Sequence, residues 1–269
     1  MRLGGRSDLR ALLARFPKAR PDLPPRMAEM YVQQHRQNRT GATPAASIGQ
    51  RLERWMHLKV AEDVQGAGEA STLEIGAGTL NQLPFEPHTR PYDVVEPFVA
   101  LYEDSQHRPR IQRVFADIAE APLERRYDRI TSVAALEHII DLPLVLARAA
   151  RLLTGDGALR VAIPSEGGFL WAMGWTLTTG LEFRLRHGLD YGALMRHEHV
   201  NDAWEIEGLI HALFQDVQVQ SFGLGRHLSL YRFIVAARPR LDVAESWEAM
   251  FRPSPAKAAA AAGTPALSA

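Results

Sequence analysis

Leu73-Glu74-Ile75-Gly76-Ala77-Gly78-Thr79 joins a short apolar segment to a glycine turn. Thr72 to Ile75 suits a buried strand, and Gly76 and Gly78 let the chain turn sharply with a ligand lying close against the backbone. A helix N-terminus beyond such a turn offers unpaired N–H groups to a carboxylate or phosphate. Two patterns share this layout. A dinucleotide turn wants G-x-G-x-x-G or a final alanine, and the sixth position here is Asn81. The other pattern is an acid, one spacer and then glycines, which Glu74-Ile75-Gly76 satisfies.

Outward from the turn, Tyr92 to Val95, Ile111 to Phe115, Arg129 to Val133 and Ala158 to Ile163 read as further strands. Leu142 to Leu153 reads as a helix ended by Gly155 and Gly157, with Asp141 as its cap. Strands alternating with helical patterns predict crossover units and a parallel sheet. Glu166 to Asn201, rich in aromatics, glycine and histidine, breaks the alternation and reads as an insertion. Asp202 to Leu213 is a helix capped by Asn201 or Asp202. Asp216 to Phe222 and Leu228 to Ala237, joined through Gly223 and Gly225, form an antiparallel hairpin. Upstream, Asp8 to Phe16 is a short helix, interrupted by Pro17, Pro21, Pro24 and Pro25. Met27 to Gln37 is a second. Ser47 caps a third, in which Ile48, Leu52, Trp55, Met56 and Val60 fall at helical spacing. The chain thus divides into a helical extension (1–65), an α/β domain (66–240, with 166–201 inserted) and a C-terminal helix with a disordered tail (241–269).

The 269 residues suffice for one large α/β domain with additions, and 46% apolar content supports a sizeable core. The formal net charge of zero gives no basic excess for nucleic acid or an anionic membrane. The absence of cysteine excludes disulfides, thiolate metal sites and cysteine nucleophiles, and fits a cytoplasmic setting. No apolar run reaches spanning length. The uncharged stretch Gly167 to Leu181, with Phe169, Trp171 and Trp175, suits a buried or lid helix, with peripheral membrane contact as the alternative.

From Thr72 to Pro164 the order of these features resembles the class I S-adenosylmethionine-dependent methyltransferase family, in its type 11/12-like small-molecule or glycan branch. The resemblance implies a Rossmann-like seven-stranded sheet, mostly parallel, with an antiparallel terminal hairpin and helices on both faces. It implies S-adenosylmethionine as cofactor. Glu74 would meet the amino end of its methionine moiety, which would lie along Gly76, Ala77 and Gly78. Glu96, ending Tyr92-Asp93-Val94-Val95-Glu96, would accept both ribose hydroxyls, with Pro97 beside it. Asp117 would face the adenine amino group and Ile118 the ring, with Ala135 on the strand-four side. Leu80 stands where the family has a third glycine.

The Glu137-His138 pair after strand four matches a pair that borders the transferred methyl group in many small-molecule members. A hydroxyl acceptor must lose a proton, and histidine is suited to take it. His138 is a candidate base; the alternative is that it caps a helix or shapes the cofactor pocket. His199, in His197-Glu198-His199-Val200-Asn201, is a second base or acceptor-binding candidate, with His197 behind it, or else a packed loop histidine. His-x-His can ligate metal, but no third ligand at recognisable spacing accompanies it, so no metal site is expected. Trp171, Trp175, Phe183 and Tyr191 offer flat faces to an acceptor or fill the core, and Arg184, Arg186 and Arg196 bind an anionic acceptor or are solvated. More loosely, the chain resembles methyltransferase-like proteins of surface-polysaccharide biosynthesis. The expected activity is O-methylation of a small-molecule or glycan acceptor. The alternatives are a non-catalytic cofactor-binding scaffold and an NAD-linked oxidoreductase. Nucleic-acid methylation is disfavoured by the neutral charge and by the lack of an Asn/Asp-Pro-Pro-Tyr/Phe sequence after strand four. Oligomeric state is left open.

Overall fold

A computed structural model of the chain describes residues 6–24, 26–27, 46–64, 70–87, 91–176, 180–223 and 228–252. The expected helix from Met27 to Gln37, beyond Met27 itself, and the expected tail from Pro253 lie outside them. Seven strands form one sheet: β1 (Thr72–Ile75), β2 (Tyr92–Val95), β3 (Arg113–Phe115), β4 (Tyr127–Val133), β5 (Leu153–Pro164), β6 (Phe214–Gly223) and β7 (Ser229–Pro239). Their order is β3-β2-β1-β4-β5-β7-β6. The first five run parallel, and β7 runs antiparallel to both β5 and β6. The chain winds outward from β1 to β3 and then restarts at β4 on the other side of β1. That reversal opens a crevice at the carboxyl ends of β1 and β4, where ligands of such sheets bind.

Two-residue alternation along the strands sets which helix covers which face. Leu159, Val161 and Ile163 of β5 and Ile234 and Ala236 of β7 join the main core. That core also takes residues of α1 (Arg6–Leu13), α4 (Leu142–Leu152), α8 (Ala203–Leu213) and α9 (Leu241–Phe251). The intervening Ala162 and Phe233 pack on the opposite face with Met56 and Val60 of α2 (Ala46–Val60). Helices therefore cover both faces. The helix α3 (Val99–Tyr102) is a single turn after β2. The segment that breaks the alternation folds as three short helices, α5 (Phe169–Trp175), α6 (Leu181–His187) and α7 (Tyr191–Glu198).

Some local expectations are corrected. Gly155 and Gly157 do not end α4; the helix passes straight into β5, which contains both glycines. A Cβ on Gly157 would sit 2.9 Å from the Tyr127 carbonyl oxygen, beside a register shift between Tyr127 and Arg129, so the glycine permits close strand approach. Asp141 occupies the N-cap position of α4 without making a side-chain cap bond. Asp202, not Asn201, begins α8, in a reciprocal capping box with Glu205. Asn201 instead donates its amide to the carbonyls of Leu136 and Ile139. Ser47 falls inside the first turn of α2. No α-helix directly follows the glycine turn. Residues 79–82 make turns and Leu83–Phe85 is a 3₁₀ segment, because Pro84 and Pro87 withhold the N–H donors a regular helix would need.

The C-terminus of α2 is fixed by the sheet. Arg129 of β4 donates Nη2 to the Val60 carbonyl at 3.1 Å, and Arg160 of β5 donates to the carbonyls of Val60 and Lys59, each at 2.8 Å. These cations satisfy terminal carbonyls and oppose the negative end of the helix dipole. Arg129 also pairs with Glu86 (2.9 Å) and Asp63 (2.8 Å).

Candidate active site

The glycine turn is built as close packing demands. Gly76 has φ +69°, and a Cβ added there would lie 2.4 Å from the Cβ of Ala135, just past β4. Gly78 has φ +49° with open space where its Cβ would project. Leu80, in place of a third glycine, adopts φ +68° and is fully buried with Ala77, Leu83, Tyr92 and Val94. Its burial offsets the strain of a left-handed conformation in a non-glycine residue. Glu96 ties the end of β2 to this turn, its carboxylate accepting the Gly78 N–H at 2.8 Å and the Phe98 N–H at 3.0 Å. Asp117 is exposed and accepts the Ala119 N–H at 2.7 Å, capping the turn that buries Ile118.

Two adjoining cavities open along this edge. One, of about 590 Å³, is bounded by Gly76, Glu96, Pro97, Asp117, Ile118 and Ala135. The other, of about 500 Å³, is bounded by Glu74, Gly76, Ala77 and Gly78, with Glu137, His138, His199, Trp171 and Tyr231 across from them. Gly76, Ala134 and His138 border both. Every residue expected on the cofactor side lines one cavity or the other, and both histidines expected to be catalytic face the second.

The histidines meet although they are distant in sequence. Their rings lie 4.8 Å apart, edge to face. His138 follows β4 on a 3₁₀ turn (Leu136–His138), and its Nδ1 lies 2.9 Å from the Glu198 carbonyl oxygen. A carbonyl cannot donate, so Nδ1 carries the hydrogen and neutral His138 keeps its lone pair on Nε2. His199 places Nδ1 2.9 Å from the Glu166 carboxylate. Glu137 is buried beside both rings, with one carboxylate oxygen lacking a hydrogen-bond partner among the described residues. The two loops are joined by the Val200 and Asn201 N–H groups, which donate to the Glu137 carbonyl at 2.9 and 3.1 Å.

A family model described as a methyltransferase domain matches residues 8–209. The chain belongs to this methyltransferase family. The fold is that of the class I, S-adenosylmethionine-dependent members, and the cofactor is S-adenosylmethionine. Among solved structures, a possible exported protein from Bordetella parapertussis shares 14% identity and a TM-score of 0.50, over 87% of this chain and 79% of that one. A methyltransferase of Thermotoga maritima, described as a possible histamine N-methyltransferase, shares 19% identity (TM-score 0.48; 69% and 91% covered). An O-methyltransferase family protein from Burkholderia thailandensis shares 15% (TM-score 0.46; 71% and 56% covered). No curated protein matches the sequence.

In this methyltransferase the site carries several perturbed acids. Burial pushes Glu74 up to about 8, only partly opposed by the Tyr92 hydroxyl that donates to it at 2.8 Å. Burial also raises Glu137, against the lowering pull of His138 and His199. For His199 burial alone would lower the pKa, but the Glu166 hydrogen bond and the surrounding carboxylates outweigh it and raise it. No helix among the described residues of the methyltransferase is long and apolar enough to cross a membrane.

Other sequence candidates separate. His197 turns away, its Nδ1 2.7 Å from the Pro21 carbonyl. Phe183 packs on His187 and Tyr191, so these aromatics fill the inserted segment. Arg184 and Arg186 are exposed, and exposed Arg196 lies near Asp190. The side chain of Trp175 lies outside the described residues. Trp171 does reach the second cavity, edge to face with Tyr231 at 5.4 Å. Sequence reasoning missed the pocket-lining face of α2, with Glu53, Met56 and His57, and the walls supplied by Phe98 and Leu101. Phe98 is 63% exposed, an apolar residue awaiting cover beside the expected adenine position.

Arg20 was also missed. It donates to the carbonyls of His197 (2.8 Å), Glu198 (3.2 Å) and His138 (3.0 Å), clamping both histidine loops from the N-terminal segment. Hydrogen bonds from a charged group are worth about 1.5–3 kcal/mol each. Arg20→Ala is therefore expected to speed amide hydrogen exchange at Val200 and Asn201 by at least ~10-fold while β-sheet amides are unchanged; equal exchange in both proteins would show that Arg20 does not hold the loops.

Proposed function

We propose that the chain transfers the methyl group of S-adenosylmethionine to an oxygen of a small-molecule or glycan acceptor. The observation that carries this reading is that His138 borders both cavities and stands beside His199, at the junction of the cofactor-side and acceptor-side walls. In the proposed arrangement Glu74 meets the methionine ammonium, and Gly76, Ala77 and Gly78 lie along the methionine. Glu96 and Pro97 border the ribose, Asp117 and Ile118 border the adenine, and Ala135 packs behind Gly76. Methyl transfer is an in-line displacement on a cationic sulfonium, so alignment and water exclusion supply most of the acceleration. A hydroxyl acceptor would give its proton to the Nε2 lone pair of His138 or His199, each held in that tautomer by its Nδ1 contact. Trp171 and Tyr231 form an aromatic wall suited to a sugar or ring. Net neutrality speaks against a nucleic-acid acceptor, and the lack of cysteine goes with a cytoplasmic setting.

Calorimetry with S-adenosylhomocysteine and NAD tests the cofactor assignment; tight NAD binding without S-adenosylhomocysteine binding would sink it. An acceptor screen with methyl-labelled cofactor tests the rest. Once an acceptor is found, His138→Ala and His199→Ala are expected to slow turnover by about 10²–10⁴-fold at whichever residue is the base, and the reading fails if neither does.

Glu74 gives the binding a proton linkage. With its pKa near 8 it is protonated at neutral pH in the free protein, and an arriving ammonium favours the ionised form. S-adenosylhomocysteine binding at pH 7 is therefore expected to release a proton, seen as a dependence of the calorimetric enthalpy on buffer. Affinity is expected to rise between pH 6 and about 8, the range in which Glu74 ionises. For stability the sign is opposite. A carboxyl with a raised folded pKa binds its proton more tightly when folded, so the free protein loses stability as pH rises through the same window. Glu74→Gln is expected to flatten both profiles and to weaken binding by about 10–100-fold, as loss of a charge-assisted hydrogen bond would. Unchanged profiles in that variant would show that Glu74 is not the linked group.

A further inference from the structure

We propose that Glu137, His138 and His199 form a binding site for one divalent first-row metal ion. The carboxylate oxygen of Glu137 and one ring nitrogen of each histidine lie within 4.8 Å of one another. Glu137 is 1% exposed, yet its Oε2 has no hydrogen-bond partner among the described residues. A buried carboxylate oxygen without a partner is costly in a folded protein, and a cation is one of the few ligands that relieves it.

The surroundings of the two imidazoles point the same way. Metal-bound histidine almost always donates its other ring N–H to a carboxylate or a backbone carbonyl, which fixes the tautomer and strengthens the ligand. His199 does the first, through Nδ1 to Glu166 at 2.9 Å, and His138 the second, through Nδ1 to the Glu198 carbonyl at 2.9 Å. Both therefore hold Nε2 as the coordinating atom, and Nε2 of His138 lies 3.9 Å from Oε1 of Glu137. Two imidazoles and one carboxylate with open positions suit Zn²⁺, Fe²⁺, Mn²⁺ or Co²⁺ and not a hard ion such as Ca²⁺, which takes six to eight oxygens. The ligands come from two loops about 60 residues apart, so no sequence spacing announces them; the pair His197-x-His199 is not the ligand pair, because His197 faces Pro21.

This inference rests on the proposed reading of the second cavity for its use, though not for the binding itself. An acceptor hydroxyl coordinated to the ion would lose its proton to water. The resulting alkoxide forms the new C–O bond as the C–S bond breaks, and that electron pair stays on sulfur to give neutral S-adenosylhomocysteine. In the loaded protein the imidazoles hold the ion in place of taking the proton.

The test uses untagged full-length protein stripped by chelator and titrated with Co²⁺. One Co²⁺ per chain is expected, with a visible d–d absorption band, displaced by Zn²⁺. His199→Ala and Glu137→Gln are expected to abolish the band, and Glu166→Gln to weaken binding by about 10–100-fold by releasing the imidazole from its partner. Thermal melting checks that each variant is folded, and the isosteric Glu137→Gln serves if His199→Ala is not. Absence of stoichiometric uptake, or uptake unchanged in the folded variants, overturns the site. S-adenosylhomocysteine calorimetry on the same samples separates the two ideas. Intact cofactor binding without Co²⁺ uptake sinks the metal site alone, whereas Co²⁺ uptake without cofactor binding sinks the cofactor arrangement alone.

Discussion

Gly76→Ala is expected to weaken S-adenosylhomocysteine binding by about 100-fold, equivalent to ~2.7 kcal/mol, and to lower folding stability by about 2–4 kcal/mol. Two effects add. The new methyl would start 2.4 Å from the Ala135 Cβ, and neither atom belongs to a flexible chain end that could swing away. The backbone would also have to hold φ +69° with a side chain present, at a cost of about 1–2 kcal/mol. Relief by backbone movement would shift the turn that carries Ala77 and Gly78 and the loop that carries Ala135 and Glu137, so the cofactor edge and the histidine cluster are disturbed together. The double variant Gly76→Ala with Ala135→Gly removes the clash and leaves the φ strain. It is expected to recover part of the stability and part of the affinity. Gly78→Ala makes no such contact, and its stability loss should be smaller. Calorimetry and chemical denaturation of the three variants decide the matter; a Gly76→Ala protein that binds like the parent would mean that the turn is not the cofactor's bed.

Arg129→Met is expected to be the most damaging single change far from the cavities, destabilising the fold by about 3–5 kcal/mol. Arg129 is buried and serves four partners at once, the Glu86 carboxylate, the Asp63 carboxylate, the Thr72 hydroxyl and the last carbonyl of α2. Burial alone would lower its pKa, but these carboxylates outweigh that and raise it, so the cation is present throughout the accessible pH range. Removing it leaves Glu86 in the interior with, among the described residues, the Gln82 amide alone, which donates at 2.8 Å. The loss should therefore shrink when Glu86 is neutralised as well. In denaturant, Arg129→Met with Glu86→Gln is expected to be more stable than Arg129→Met alone, because the uncompensated charge has gone. Equal stabilities would mean that the ion pair contributes nothing beyond packing.

Features that depend on local pattern could be read from the chain. The strand-turn unit at Glu74 to Gly78, the acids closing β2 and following β3, and the terminal hairpin are all set by short-range alternation and turn residues, and they stand where expected. Features that depend on which side chains meet across the sheet could not. Arg129 reads as a strand residue, and nothing around it shows that it reaches a helix 69 positions earlier. Glu137 is one of a recognisable pair, but its lone oxygen and its nearness to His199 arise only once the loop after α7 folds over β4. Leu80 stands where the family has a third glycine, yet it keeps the glycine-like φ because the hydrophobic cluster beneath it holds its side chain. Gly155 and Gly157 looked like a helix stop because a breaking residue and a close-packed strand glycine have the same spelling.

The anchoring of α2 has a consequence for how such an enzyme changes its diet. The last turn of the helix is tied to the sheet by Arg129 and Arg160, whereas Glu53, further back along the same rod, forms part of the second cavity's wall. Met56 does both, packing on Ala162 and Phe233 while bordering the cavity, so the separation of structural duty from contact with the cavity's contents is clearest at Glu53. Substitution at exposed Glu53 can reshape the wall while the foot keeps its grip, so descendants of this chain could trade one acceptor for another without passing through an unfolded ancestor.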